Sequence, residues 1–357
     1  MVVAFIAIIV TLILVVGIHE AGHALAARIF QVRIKKISIG FGRPLLQWTS
    51  KSGCEWVWAM WPLGGYVELL NSRITPVTAK EHPFCFDKKP IWQRIIILLS
   101  GAAANLITAW LAFLFVFYLG INYKLPQVQA IQSDSIAAHA GVAVNDQFIA
   151  INGHNTPSWQ DVGMQLVTLW GQNKVDITLK HAKSQELKNV SIDLSQIKFS
   201  GNEKSLLAVL GITPDLSAAS GTKRSASFIQ AMSDSKRAII QLLYFFVMAL
   251  KQLITGIIPF SMLLGPLGVF AASVASLTQG IAVFFYFIAS LSLAVALVNL
   301  FPVPGLDGGS IVYALIEKVR GKPVSVAMEV LLHRLMMIFF VVLLVNLLVN
   351  DVTKYVH

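Results

Sequence analysis

The residues best suited to catalysis lie in the first apolar stretch of the chain, where His19 and His23 flank Glu20 in the order His-Glu-x-x-His. Positions four residues apart share one face of a helix, so both imidazoles can reach a single metal ion. Zn²⁺ is the favoured ion, because it accepts histidine nitrogen and in catalytic sites keeps three protein ligands and one water. Zinc makes such a water reactive near neutral pH, and Glu20 can take its proton. The group predicts hydrolysis assisted by one Zn²⁺ ion.

The apolar surroundings of these three side chains favour a bound partner over ordinary helix residues. A charged residue within a membrane span costs at least about 2.5–3.5 kcal/mol on insertion scales. Three ionisable residues within five positions therefore need compensation. A metal ion is the simplest compensation, and a proton relay is the alternative.

The third metal ligand has to come from another part of the chain, and Asp307 is the candidate. It follows a long apolar stretch in the segment Asn299-Leu300-Phe301-Pro302-Val303-Pro304-Gly305-Leu306-Asp307-Gly308-Gly309. The two prolines prevent a regular helix there. Alternatively, Asp307 caps a helix that begins near Ser310. Asp307 reaches the depth of the histidines only if residues 121–280 make no net crossing, so we expect no single crossing within 226–270.

The composition requires lipid as a second solvent. The chain has 357 residues, 56% of them hydrophobic and 13% charged, and its mean hydropathy is +0.69. Soluble domains are about 45–50% apolar and about 25% charged. Long apolar stretches can each span about 30 Å of hydrocarbon, and they are Val2 to about Phe30, Ile91–Leu119, Ile281–Leu300 and Val330–Val349. The first is interpreted as a retained span and not a cleaved signal peptide, because no Lys or Arg precedes it.

The basic residues cluster between the apolar stretches, so the net charge of +10 indicates membrane topology and excludes nucleic acid as the partner. From Arg28 to Arg94 there are eleven Lys/Arg against four Asp/Glu. The positive-inside rule places this segment in the cytoplasm. Both termini and residues 121–225 are then extracytoplasmic, and the His-Glu-x-x-His group lies near the cytoplasmic face.

The segments between the spans differ in composition and predicted secondary structure. Residues 51–70 contain two β-prone runs around Pro62-Leu63-Gly64-Gly65, which predicts a membrane-associated hairpin whose edge could accept an extended peptide. Residues 121–225 are polar, with predicted strands at 127–131, 147–151 and 174–179 and a helix from Trp159 to Trp170. Residues 226–275 are apolar but interrupted, and are predicted to be interfacial or re-entrant.

The predicted fold is an α-helical polytopic membrane protein with about four transmembrane helices, a membrane-associated β-hairpin region and one inserted α+β domain. Its predicted parts are 1–120 with the first two spans and the hairpin region, 121–225 with the inserted domain, 226–275 with the interfacial segment, and 276–357 with the last two spans.

The pairing of His-Glu-x-x-His with a distant Leu306-Asp307-Gly308 resembles the site-2 protease family, which comprises peptidase M50-type intramembrane zinc metalloproteases. The likeness is to the bacterial regulator-of-sigma-E-protease type, and it runs nearly end to end. It implies that His19, His23 and Asp307 bind zinc and that Glu20 is the general base. Further residues implied to hold substrate are Asn299, Pro302, Pro304, Gly64, Gly65 and Tyr66. Ser100-Gly101-Ala102-Ala103-Ala104-Asn105 is similar to a Gly-Pro-x-x-Asn pattern with Ala102 in place of Pro, which makes Asn105 a further candidate. The alternative is that the small residues of this segment serve close helix packing and not chemistry.

The segment 121–225 resembles a circularly permuted bacterial PDZ domain, through Ser135 to Gly141 and Ile151-Asn152-Gly153. Gly211, in Val209-Leu210-Gly211-Ile212, would then belong to its peptide-binding loop, although this short run could equally be a plain strand end. Only one such domain fits, whereas well-studied members of the type carry two.

The resemblance implies an enzyme of the bacterial inner membrane that cleaves single-span membrane proteins already trimmed outside, such as anti-sigma factors and leftover signal peptides. A transporter or proton relay and an inactive PDZ scaffold are the competing hypotheses. Peptidase activity that is lost with a chelator separates the first reading from both.

Overall fold

The computed structural model describes residues 1–51, 53–181, 186–195, 197 and 205–356. These residues form two compact units. The first contains Met1–Phe115 and Pro266–Leu348, and the second contains Val116–Gly265 and the end of the chain from Val349. The residues predicted to do chemistry lie in the first unit, and the predicted inserted domain lies in the second.

The first unit is mainly helical, and the second contains both helices and strands. The helices are α1 (Val2–Leu12), α2 (Ile18–Ile29), α3 (Ile91–Leu119), α4 (Ile136–His139), α5 (Trp159–Leu169), α6 (Leu206–Leu210), α7 (Phe228–Ile254), α8 (Pro266–Gln279), α9 (Ile281–Asn299), α10 (Asp307–Arg320) and α11 (Val326–Val356). The strands are β1 (Ile34–Thr49), β2 (Glu55–Leu69), β3 (Ile121–Lys124), β4 (Val128–Ile131), β5 (Asp146–Ile151), β6 (His154–Asn155), β7 (Val175–His181), β8 (Leu187–Ile192), β9 (Ile212–Pro214) and β10 (Ser220–Lys223).

A π turn at Ile13–Gly17 joins α1 to α2 in one continuous helical segment. The N–H of Ile18 donates to the carbonyl of Ile13, five residues back, whereas an α-helix bonds four residues back. On the α1 side of this turn, Ala7 packs with Phe284 and Ile288 of α9 in a buried cluster. The α2 side carries the His-Glu-x-x-His group.

The described part of the chain has six helical segments that are long and apolar enough to cross a membrane. They are Val2–Ile29, Ile91–Leu119, Phe228–Ile254, Phe260–Gln279, Ile281–Asn299 and Val326–Thr353. Four of them contain the predicted spans, and the other two lie in the region predicted to be interfacial. The chain is a polytopic membrane protein, and the number of helices that cross the bilayer stays a prediction.

The β region is present, and the chain reverses in it at the predicted place. β1 and β2 pair antiparallel across a first reversal at residues 50–54. Within β2, residues 55–58 run parallel to residues 36–39, whereas residues 65–68 run antiparallel to them. The chain therefore also reverses between residues 58 and 65, the stretch that contains Pro62-Leu63-Gly64-Gly65. The two arms of this turn lie on opposite sides of residues 36–39, so they pair with β1 and not with each other as in a simple hairpin.

The second unit is built on antiparallel strands, with β3 paired to β10, β4 to β9, and a four-stranded sheet in the order β6-β5-β7-β8. The strands predicted at 127–131, 147–151 and 174–179 are confirmed as β4, β5 and β7, and the predicted helix is α5. Their core contains Phe148, Leu166 and Trp170. Gly211 has a φ of 78° at the junction of α6 and β9, so 209–212 is neither a plain strand nor a plain strand end.

Candidate active site

The His-Glu-x-x-His side chains are buried on α2, where His19 is 6%, Glu20 7% and His23 8% exposed. The helix α2 can lie close to α3 at this level because Gly22 has no side chain on the face that meets Ser100 and Ala104. A Cβ at Gly22 would lie 2.8 Å from the Cβ of Ala104, closer than real Cβ atoms approach. The two small residues therefore set the distance between the two helices at the site.

The imidazoles of α2 and the carboxylate of Asp307 converge on one point. His19 Nε2 lies 3.2 Å from His23 Nε2. Asp307 Oδ2 lies 3.3 Å from the first and 3.2 Å from the second nitrogen. The structure thus brings Asp307 to the two histidines, although it follows His23 by 284 residues in the sequence.

This triangle fits a tetrahedral zinc ion. Zn²⁺ binds histidine nitrogen at about 2.0–2.1 Å and carboxylate oxygen at about 2.0–2.2 Å, so two tetrahedral ligand atoms lie about 3.3–3.5 Å apart. The observed separations of 3.2, 3.2 and 3.3 Å are close to that edge length. Two nitrogens and one oxygen are a donor set that suits zinc. The three residues can therefore hold Zn²⁺ and leave its fourth position open.

The helix α3 orients the histidines through its backbone. His23 Nδ1 lies 2.8 Å from the carbonyl oxygen of Ile97, which fixes the ring and directs Nε2 towards His19 and Asp307. Gly101, one turn further on, leaves the space that both rings occupy. A Cβ there would overlap His23 Nε2 and lie 2.8 Å from His19 Cε1. Sequence reasoning missed Ile97, because a backbone carbonyl has no residue-type signal, and it assigned no role at the metal site to Gly101.

Asp307 begins α10, and its alternative role as a helix cap is wrong. The N-cap residue is Leu306, and α10 starts three residues earlier than the predicted position near Ser310. The turn before it is tight: Leu306 N–H donates to Val303 O at 3.1 Å, and a Cβ at Gly308 would lie 2.5 Å from the Leu300 carbonyl carbon. Backbone crowding of this kind explains glycine at the residue after Asp307.

The other candidates from the α9–α10 connection are less enclosed. Asn299 is the last residue of α9 and is half-buried. Pro302 is exposed and Pro304 half-buried in the loop that leads to Asp307. All three lie within eight residues of the metal-site carboxylate, where they can line its approach.

The strand β2 passes directly over Glu20. A Cβ at Gly65 would lie 3.0 Å from Glu20 Cγ and 2.8 Å from the Ser38 carbonyl oxygen. Tyr66 stacks on Phe41 with ring centroids 6.1 Å apart, and a Cβ at Gly64 would also approach the Phe41 ring, at 2.9 Å. Thus Gly65 lies directly against the His-Glu-x-x-His group.

Asn105 lies one turn beyond Gly101 on α3 and is completely buried. Neither its amide nitrogen nor its amide oxygen has a hydrogen-bond partner among the described residues. A buried amide left unpaired is rare, so Asn105 has hydrogen-bonding capacity that the protein itself does not use. Gly211 belongs to the second unit, where its Cβ position would meet Ser135 Oγ at 2.6 Å.

Residues 7–343 match the model of peptidase family M50. The chain is 29% identical to the regulator of sigma-E protease RseP of Escherichia coli K12 over 97% of both chains. It is 27% identical to the Salmonella typhimurium regulator of sigma-E protease RseP over 98% of both chains. A regulator of sigma E protease from Haemophilus influenzae is 26% identical, over 96% of this chain and 97% of the relative.

The alignment with the Escherichia coli relative is longer than this chain. It spans 440 positions, whereas this chain has 357 residues, so at least 83 aligned positions have no residue of this chain. The relative therefore carries additional residues with respect to this protein, in one or more insertions.

Proposed function

Because the chain belongs to peptidase family M50 and is a membrane metalloprotease, we propose that it hydrolyses single-span membrane proteins at one Zn²⁺ ion bound by His19, His23 and Asp307. The observation that carries this proposal is the triangle of ligand atoms with sides of 3.2, 3.2 and 3.3 Å. Zinc bound there would polarise a carbonyl and lower the pKa of water to about 7.

Glu20 is the general base in this proposal. It lies between the two proposed ligand histidines in the sequence, and its side chain is buried beneath Gly65. It takes a proton from the attacking water and later delivers a proton to the leaving amine. Burial excludes bulk water from the carboxylate, so its proton goes to the reacting groups.

The bent sheet of β1 and β2 presents the substrate. A transmembrane helix hides its own amides and must unwind before hydrolysis, which exposes unpaired N–H and C=O groups in an apolar setting. Addition of the unwound segment to β2 as a strand would satisfy them. Gly64, Gly65 and Tyr66 lie on the part of β2 over Glu20, so a strand bound there would lie beside the base. Asn299, with Pro302 and Pro304, is proposed to bind exposed substrate backbone from the side of α10. We propose that Asn105 also meets substrate or its oxyanion.

The relatives' names, as regulators of sigma-E, support a substrate class of anti-sigma factors, with signal-peptide remnants as a second class. We propose that these substrates are trimmed outside before they reach the site, in regulated intramembrane proteolysis at the bacterial inner membrane. Both termini and the 121–225 domain are placed outside and the zinc site near the cytoplasmic face, on the strength of the basic segment Arg28–Arg94. The 121–225 domain is proposed to be a single PDZ domain, with Gly211 in its peptide loop.

Cleavage of a tagged single-span substrate by purified protein in detergent tests the proposal. Glu20→Gln should lower the rate about 10²–10⁴-fold while zinc content stays at one ion per chain. Glu81→Gln is the matched control, because this carboxylate pairs with Arg33 at the surface, away from the site. Equal rates for wild type and Glu20→Gln, or wild-type activity that survives a zinc chelator, would refute the proposal and favour a relay or a scaffold.

A further inference from the structure

Arg94 is a buried cation outside the residues already assigned to chemistry. It lies in the first turn of α3 and is 6% exposed. Its guanidinium donates to Glu317 of α10 at 2.9 Å and lies 5.4 Å over the ring of Phe86. Arg94 Nε has no hydrogen-bond partner within the described ranges. The Glu317 carboxylate is therefore the group that compensates this buried charge.

The face of α3 that carries Arg94 also organises the metal site. Arg94, Ile97 and Gly101 have the spacing i, i+3, i+7, which places them on one side of a helix. The Ile97 carbonyl fixes His23, and Gly101 accommodates both histidine rings. Successive turns of one helix thus contact Glu317 through Arg94, the His23 ring through the Ile97 carbonyl, and both histidine rings at Gly101.

The helix α10 links Glu317 to Asp307, its first residue. Ten residues of α-helix span about 15 Å, and the seven residues from Arg94 to Gly101 span about 10 Å. A helix is stiff over this length, so a contact at its last turn constrains its first turn. The tight turn before Asp307 holds the first turn of α10, and the anchor at Glu317 holds its last turn, so the two contacts together fix the direction of the helix.

We propose that Arg94 is a positioning residue that, through Glu317, fixes α10 so that Asp307 Oδ2 meets the two histidine nitrogens. This rests on the proposed function only in so far as the three groups bind a metal. Arg94 itself touches neither metal nor substrate.

Metal affinity and steady-state kinetics of the full-length chain in detergent test the proposal. Arg94→Met keeps the apolar stem and removes the charge, and Glu317→Gln keeps the shape of its partner. Each should raise the dissociation constant for Co²⁺, followed by its visible absorption, about tenfold or more. Each should also lower kcat about tenfold or more with little change in KM, because the substrate strand is held by β2. Arg94→Lys keeps the charge and should recover most of the loss.

Arg73→Met is the matched control. Arg73 is also a partly buried arginine, and it pairs with Glu329 at 3.0 Å, but Glu329 belongs to α11 and not to α10. Its loss should lower thermal stability while Co²⁺ affinity and kcat stay within about twofold of wild type. If Arg73→Met weakens Co²⁺ binding as much as Arg94→Met does, the special role of Arg94 is refuted.

The double variant Arg94→Met/Glu317→Met separates positioning from folding. Replacing a buried ion pair by apolar residues often restores stability that a single replacement loses. Positioning requires that Tm recovers while Co²⁺ affinity and kcat stay low. Recovery of all three together would show that the pair serves folding alone and would overturn the proposal. If wild type cleaves no substrate, the proposed function fails, but the Co²⁺ comparison still decides the role of Arg94.

Discussion

Gly101→Ala tests whether the space beside the histidine rings is needed for function. The added Cβ would lie 2.8 Å from His19 Cε1 and closer still to His23 Nε2, whereas ordinary contacts begin at 3.4 Å. The His19 ring must therefore move by at least about 0.6 Å, since overlap of this kind is relieved by displacement. Zinc ligation tolerates about 0.2 Å in ligand distance.

The expected result is a loss of activity without a comparable loss of fold. A misplacement of about 1 Å costs about 10²-fold in rate, which corresponds to about 2.7 kcal/mol of transition-state free energy. For stability, the better helix propensity of alanine contributes about 1 kcal/mol and offsets part of an overpacking cost of about 1–3 kcal/mol. We therefore expect weak zinc binding and a rate lowered about 100-fold, with Tm close to that of wild type.

The assay measures zinc content, substrate cleavage and Tm on the same preparation. Gly163→Ala is the matched control, because Gly163 is a glycine within α5 whose Cβ position has no neighbour within 4 Å among the described residues. It should leave zinc binding and cleavage unchanged. Full zinc occupancy and wild-type cleavage by Gly101→Ala would refute the role assigned to the space beside the rings.

Two further variants separate the base from the metal and the first unit from the second. Gly65→Ala, whose Cβ would lie 3.0 Å from Glu20 Cγ, should lower kcat about tenfold or more with zinc retained, because Glu20 is not a ligand; loss of zinc in this variant would contradict that assignment. Gln252→Leu removes the buried donor that bonds to Trp170 O at 2.8 Å and should destabilise the second unit by about 1–3 kcal/mol. Zinc content should not change, and a change measured by metal analysis would show that Gln252 has another role.

The convergence of His19, His23 and Asp307 could be predicted from the sequence because each step had a physical constraint. Spacing of four residues puts His19 and His23 on one helix face, and the depth of the spans brought Asp307 to the same level. The contacts that orient these groups could not be predicted. Ile97 acts through its carbonyl oxygen, and Arg94 meets Glu317 across 223 residues of sequence.

Parts of the fold also could not be predicted from the sequence. The residues Gly64-Gly65 carry a turn signal, and the chain does reverse between residues 58 and 65. The same two glycines also allow a close approach to Phe41 and Glu20, and local propensity does not show that a glycine needed for a turn is needed for space as well. Similarly, α7 runs for 27 residues within a region predicted to be interrupted. It contains no Pro or Gly, and the interrupting residues Pro259, Gly265 and Pro266 lie beyond its end.

The π turn at Ile13–Gly17 changes the direction in which the residues after it face relative to those before it. Ala7 and His19 are twelve residues apart, which in a regular α-helix would point them about 120° away from each other. By absorbing one residue, the π turn reduces this angle to about 20°. The half that packs against α9 and the half that carries the histidines therefore face the same way. Deletion of one residue within the turn should restore a regular helix and preserve this alignment. A deletion between His19 and His23 in α2 would instead change their spacing from four residues to three and rotate one imidazole by about 100° relative to the other. The first helix is therefore expected to tolerate the loss of a residue at the π turn and not between the histidines.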